Sequence, residues 1–138
     1  EESHQKDHLP ARFSGSRSHC TSIYFLLFGN NYSALHKIKS DEIWHQYEGG
    51  TLEIFSIDNS GKLTVHLLGK DFENNEKPQI VIKAGDWFGS RVKDKSTYAL
   101  VGCTVAPGFD FEDFEMGDRN SLLNSFPQHK KIIEELTH

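Results

Sequence analysis

Between His36 and Gly50 the chain reads His-Lys-Ile-Lys-Ser-Asp-Glu-Ile-Trp-His-Gln-Tyr-Glu-Gly-Gly, gathering two imidazoles, the Glu42 carboxylate, an indole and a phenol. Imidazole and carboxylate move protons and bind metals near neutral pH, while indole and phenol stack on planar ligands. The residue types read as strand, tight turn at Ser40-Asp41 and strand. The Gly49-Gly50 pair supplies the positive φ of a hairpin connection. The segment places site chemistry on a rigid scaffold and names no substrate.

The elements that must hold this segment follow from the hydrophobic periods. From Thr21 to Phe28 the chain is continuously apolar and aromatic, the pattern of a central strand buried on both faces. Tyr32 to Ile38 and Glu42 to Tyr47 form the next two strands. Thr51–Asp58 and Lys62–Leu68 alternate apolar and polar residues around Asn59-Ser60-Gly61, a hairpin signature. Gln79–Lys83, a short element at Trp87-Phe88 and Tyr98–Ala106, stopped by Pro107-Gly108, complete the strands. Asp118 caps a short helix carrying Leu122 and Leu123, and Pro127 opens a second with Ile132, Ile133 and Leu136 on one face. Residues 1–18 are polar and without period, an irregular arm. About eight strands at roughly ten-residue intervals specify an all-β chain with a short helical C-terminus (118–138). Periodicity leaves jelly roll, immunoglobulin-like sandwich and lipocalin-like barrel open.

At 138 residues the chain fits one domain, 1–138. Fifteen Lys and Arg against 20 Asp and Glu give a net charge of -5 with no long basic run, so the phosphate-tracking footprint of a nucleic-acid binder is missing. No apolar run approaches the roughly 18 residues of a membrane span, and the first residues lack a signal-peptide core. A soluble, cytoplasmic protein without nucleic-acid or membrane partners is expected. Cys20 and Cys103 match neither a disulfide framework nor a zinc spacing and read as buried thiols in a reducing compartment, pairing only if their strands are neighbours.

The segments Ile23-Tyr-Phe-Leu-Leu27, Ser40-Asp-Glu-Ile-Trp-His45, Gly85-Asp-Trp-Phe88 and Gly102-Cys-Thr-Val-Ala-Pro-Gly-Phe-Asp-Phe-Glu-Asp-Phe-Glu115, followed by Phe126-Pro127 and a terminal helix, resemble the cupin-5 family. The resemblance runs from about Leu9 to the C-terminus. It implies a double-stranded β-helix (cupin jelly roll), a homodimer, and overall similarity to dTDP-sugar 3,5-epimerases and seed-storage cupins, without implying a known reaction. Family members carry a helix and a His-Pro-Glu-Gly-Gly segment before the first strand, so the chain is expected to begin after them.

The same resemblance bears on the site. Metal-binding cupins offer His-x-His and Glu from one motif and a further His from a later one. At those positions stand His36, Ile38, Glu42 and Phe88, so a divalent metal would have His36 and Glu42, with His45 able to substitute only if its strand carries a bulge. His36 and Glu42 are expected to point into the barrel within hydrogen-bond reach, His36 as general acid or base and Glu42 orienting it. Trp44, on the face of Glu42, would wall a ligand pocket with Trp87 and Phe88, and Gln79 would add an amide contact. His45 and Tyr47 fall on the opposite face. The bland alternative is that the pair is a satisfied polar contact and the aromatic residues merely fill the barrel. Three functions follow: a metal-independent sugar or nucleotide-sugar isomerase or epimerase with no cofactor, a metal-dependent enzyme, and a non-catalytic binding or storage-like protein.

Overall fold

The computed structural model describes residues 2–138. Two short strands, β1 (Ser3–His4) and β2 (Arg17–Ser18), pair with each other ahead of the main body. There follow β3 (Thr21–Phe28), β4 (Tyr32–Lys37), β5 (Asp41–Gly49), β6 (Leu52–Ile57), β7 (Leu63–Leu68), β8 (Gln79–Ile82), β9 (Trp87–Val92), β10 (Tyr98–Ala106) and β11 (Glu115–Met116). Helices α1 (Arg119–Ser125) and α2 (Lys130–Glu135) end the chain.

The pairing is nested. Strand β6 pairs with β7, β5 with β8, β4 with β9 and β3 with β10, all antiparallel. The chain is thus one long hairpin with its tip at Asn59-Ser60-Gly61, where Asp58 Oδ1 accepts the backbone N–H groups of Ser60 and Lys62 at 2.9 and 3.0 Å. Winding this hairpin gives two facing sheets, β3-β10-β5-β8 and β11-β4-β9-β6-β7. That is the double-stranded β-helix of a jelly roll.

Alternation along each strand sorts the side chains into layers. Trp44, Leu52, Ile54, Ile82, Phe88, Val92, Val101 and Val105 fill the space between the sheets. Leu35, Phe55 and Ile57 on the back of the second sheet pack against Leu122, Ile132, Ile133 and Leu136 of the helices. Asp118 caps α1 by accepting from the Ser121 N–H at 2.9 Å, and Pro127 opens the turn before α2.

The first sheet has no such cover, and β3 is its edge rather than its centre. On its outer face Tyr24, Leu26 and Phe28 are 79, 52 and 57 % exposed. A continuous apolar run reads the same whether the strand is buried on both faces or leaves one face for another surface, and here the second holds. Tyr47, the extra residue of a register shift between β5 and β10, lies against Gly102. A Cβ at Gly102 would meet the Tyr47 ring at about 2.6 Å, so only glycine fits beneath it.

The N-terminal segment is more ordered than its polarity suggests. Phe13 and Arg17 are buried, and the Arg17 guanidinium donates from Nε and Nη2 to both oxygens of buried Asp113 at 2.8 and 2.7 Å. Neither Arg91 nor Arg119 pairs with Asp113. Instead Arg91 binds Glu53 and Glu135, and Arg119 binds Thr137. Both cysteines are free thiols, with Cys103 buried as expected but Cys20 exposed.

Removing one partner of a water-excluded, bidentate pair strands the other charge. Asp113→Asn is therefore expected to lower the urea-unfolding free energy by about 3 kcal/mol. The combined Arg17→Met, Asp113→Leu variant is expected to lose less than the single changes add up to, which a double-mutant cycle would measure.

Candidate functional site

Between the sheets lies a cavity of about 350 Å³ walled by Thr21, Ile23, Phe25, Ser33, His36, Ile38, Glu42, Trp44, Cys103, Val105, Phe109 and Phe114. Strand alternation delivers Glu42 and Trp44 from β5 and Cys103 and Val105 from the paired β10, where Glu42 lies opposite Val105 and Trp44 opposite Cys103. The fourth strand contributes differently. Its register against β9 shifts between Ser33 and His36, so these residues, an odd number apart, both reach the cavity while Leu35 turns to the helices. The irregularity re-aims His36, a use to which β-bulges are commonly put.

The His36 ring is held on three sides. Phe88, its cross-strand partner, lies with its ring centroid 4.2 Å away, and Phe114 stacks at 5.3 Å. Nδ1 is 2.7 Å from the Ala34 carbonyl oxygen, which can only accept, so Nδ1 carries the proton. In the neutral ring Nε2 is then a free base. Burial lowers the imidazole pKa, opposed by the Ala34 bond, so the neutral form is favoured.

Glu42 is 8 % exposed and faces no Lys or Arg in the cavity wall. Burial pushes its carboxyl up to about 7, offset in part by a hydrogen bond from the Cys103 thiol. Burial and the Glu42 charge in turn raise the Cys103 pKa, keeping Cys103 a thiol. A buried carboxyl facing a cavity with a thiol as its side-chain hydrogen-bond partner marks a candidate functional group.

Of the residues that the sequence singles out, His36, Glu42 and Trp44 come together here. The expected direct bond between His36 and Glu42 does not form; they approach the cavity from different sheets, and each has another partner. Phe88 lies beneath His36 in the inner core. Trp87, one residue earlier on the same strand, faces the helical layer, where Lys37 Nζ sits 4.6 Å from its ring centre. Gln79 is exposed at the start of β8, opposite outward-facing His45. His45 and Tyr47 do lie on the far face, their rings near-parallel.

The sequence reading missed the other walls of the cavity, Phe25, Cys103, Phe109 and Phe114 among them. Alternation from Val105 would have found Cys103. The run Phe109 to Glu115 contains a turn at Phe111–Asp113, which sends Phe109 and Phe114 inward and leaves Phe111 exposed.

The donor set does not suit a metal. Among the described residues no group of three or more His, Cys, Asp or Glu side chains is arranged to hold one, and His36 commits Nδ1 to a backbone carbonyl. Ile38 and Phe88 supply hydrocarbon where further ligands would be needed.

The Glu42 shift carries a pH signature. A carboxyl whose folded value is raised from 4.5 to about 7 stabilises the fold below 4.5 relative to higher pH. That advantage fades as pH rises through 7 and amounts to roughly 3 kcal/mol when fully lost. Glu42→Gln keeps the shape and removes the titration. Compared with wild type, it is expected to be more stable at pH 8.5 than at pH 5 by a difference of about this size, read from urea unfolding at both pH values.

Residues 1–117 match a family model described as Cupin superfamily (DUF985). A search of curated proteins found no match. Among solved structures, a protein from Shewanella oneidensis is 39 % identical with a TM-score of 0.85, covering 88 % of this chain and 77 % of its own. A hypothetical protein from Leishmania major is 31 % identical with a TM-score of 0.84, covering 90 % and 79 %. A dTDP sugar isomerase from Desulfovibrio desulfuricans shares the fold at 14 % identity, with a TM-score of 0.61 over 78 % and 68 %. The wound hairpin, the family match over most of its length and these two relatives together place the chain in the cupin-5 family of the cupin superfamily.

Proposed function

We propose that this cupin binds a small molecule in the cavity and moves a proton on it without metal, as an isomerase or epimerase does. One observation carries the reading: a histidine base and a carboxylic acid face the same desolvated cavity, and burial drives both toward their uncharged forms. Neutral His36 takes a proton at Nε2 from the carbon next to a carbonyl as protonated Glu42 gives its own to the carbonyl oxygen. The products are an enol, an imidazolium and a carboxylate. Reversal restores both side chains: the proton returns to either face of the same carbon, or, where that carbon bears a hydroxyl, to the former carbonyl carbon while Glu42 takes the hydroxyl proton and the new carbonyl forms. The Ala34 carbonyl holds the ring in the required tautomer. Phe88 and Phe114 fix its plane. The dTDP sugar isomerase offers a precedent in fold alone.

Proton abstraction next to a carbonyl can be read without the natural substrate. In D₂O the protein is expected to speed α-deuteration of a panel spanning dihydroxyacetone, cyclohexanone and phenylacetone for at least one member, followed by NMR. His36→Gln and Glu42→Gln are each expected to slow it about a hundredfold. Unchanged exchange in both variants would remove the assignment.

We also propose that a second copy of this chain covers the first sheet. Its outward residues, among them Tyr24, Leu26, Phe28, Ile43, Tyr47 and Val81, are mostly apolar or aromatic, its carboxylates Asp41 and Glu48 standing at the two ends of β5, and β3 offers an unpaired edge with no charge along it. Four strands of this length present on the order of 500 Å² in plan before side-chain relief, approaching the roughly 800 Å² per partner of a standard interface. Sedimentation velocity is expected to give a dimer for wild type and a monomer for Leu26→Glu; a monomeric wild type would rule the second copy out.

A further inference from the structure

We propose that the substrate of this cavity is an uncharged carbonyl compound with an apolar body, and that anions, including phosphate esters and nucleoside diphosphates, are excluded. The inference deepens the acid–base reading and rests on it.

Three features carry it. The first is the charge of the wall. No lysine or arginine lines the cavity, so a carboxylate or phosphate entering it would give up water and meet no cation, at a cost of several kcal/mol. Buried Arg17 is committed to Asp113, and the basic groups Arg12, Lys37 and Lys39 line a separate cleft. There Arg12 Nε donates to the Lys39 carbonyl at 2.7 Å, Lys37 pairs with Glu115 at 3.2 Å, and Lys39 lies 3.9 Å from Asp113. Each is already engaged.

The second is the distribution of polar atoms. Phe25, Ile38, Val105, Phe109 and Phe114 make most of the wall hydrocarbon, and the reactive groups His36 and Glu42 are set among them. A polyol would leave most of its hydroxyls unpaired against such a wall, whereas one oxygen beside an apolar body would not. The third is size. At the roughly 30 Å³ that a water molecule occupies in the liquid, about 350 Å³ gives room for about a dozen non-hydrogen atoms.

The chemistry agrees with these features. The reaction begins with neutral acid and neutral base and passes through an ion pair generated between them, so the site needs no charge from the ligand. An anionic substrate would place a fixed negative charge beside Glu42 as it loses its proton, opposing the step.

Phenylacetone and phenylpyruvate test this as a matched pair, both enolisable and of similar shape, one neutral and one an anion. Isothermal titration of the full chain is expected to give a dissociation constant for phenylacetone at least about tenfold below that for phenylpyruvate, and no heat with thymidine diphosphate. Ile23→Arg, a change at an exposed position on the cavity wall, is expected to narrow that ratio without loss of folding. Equal or tighter binding of phenylpyruvate, binding of thymidine diphosphate, or no binding of phenylacetone up to its solubility would overturn the substrate class. The deuteration assay separates the two readings. Should phenylpyruvate bind better and exchange through His36 and Glu42, the acid–base reading stands and the substrate class falls. Should phenylacetone bind preferentially while both variants exchange it as fast as wild type, the substrate class stands and the acid–base reading falls.

Discussion

An ionised carboxylate is costly wherever water cannot reach it and no cation or donor replaces the water, and this constraint organises the site. Glu42 sits on a strand whose inward neighbour is Trp44 and whose paired strand offers a thiol and a valine. No cation is there and the thiol offsets burial only in part, so the protonated form prevails further up the pH scale than for an ordinary glutamate. The same dry surroundings keep His36 neutral, and the Ala34 carbonyl decides which of its nitrogens is free. Burial biases both side chains toward their uncharged forms and one backbone oxygen fixes the tautomer of the imidazole, without a contact between the two.

The fold provides this dryness through its layering. Helices seal the back of one sheet, and the wound hairpin brings strands far apart in sequence into register around one interior. A buried ion pair between Arg17 and Asp113 ties the segment before β3 to the turn that carries Phe114 toward His36. Two kinds of interior coexist: hydrocarbon packed solid around Leu52, Ile54 and Val92, and a hollow end where β3, β4, β5 and β10 meet.

Much of this was legible from residue pattern. Alternation gave the strands, the turn chemistry of Asn59-Ser60-Gly61 marked the hairpin tip, and Asp118 and Pro127 marked the helices. The cluster of His36, Glu42 and Trp44 could be read because a short turn joins their strands. What failed did so for identifiable reasons. Trp87 and Phe88 are adjacent, so a strand must send them to opposite faces, and only Phe88 could approach the interior. The edge position of β3 is decided by which strand lies beside it, which period cannot say. Arg17 and Asp113 are separated by most of the chain, and no local signal joins an arginine in a polar segment to an aspartate in an aromatic one.

The nesting of the strands has a kinetic side. Closing a loop costs more entropy as it lengthens, so the tip hairpin of β6 and β7 is the least expensive pair to form, and each later pair becomes affordable only once the inner one shortens its loop. The outermost pair joins Thr21 to Val105. The cavity is walled largely by the outer strands and the turn beyond them, so the order of zipping assembles it late, and local opening reaches it early. A bound molecule there bridges strands from both arms of the hairpin and acts as a clasp on its open end. Occupancy of the site and slow amide exchange along β3 and β10 are then two readings of one equilibrium.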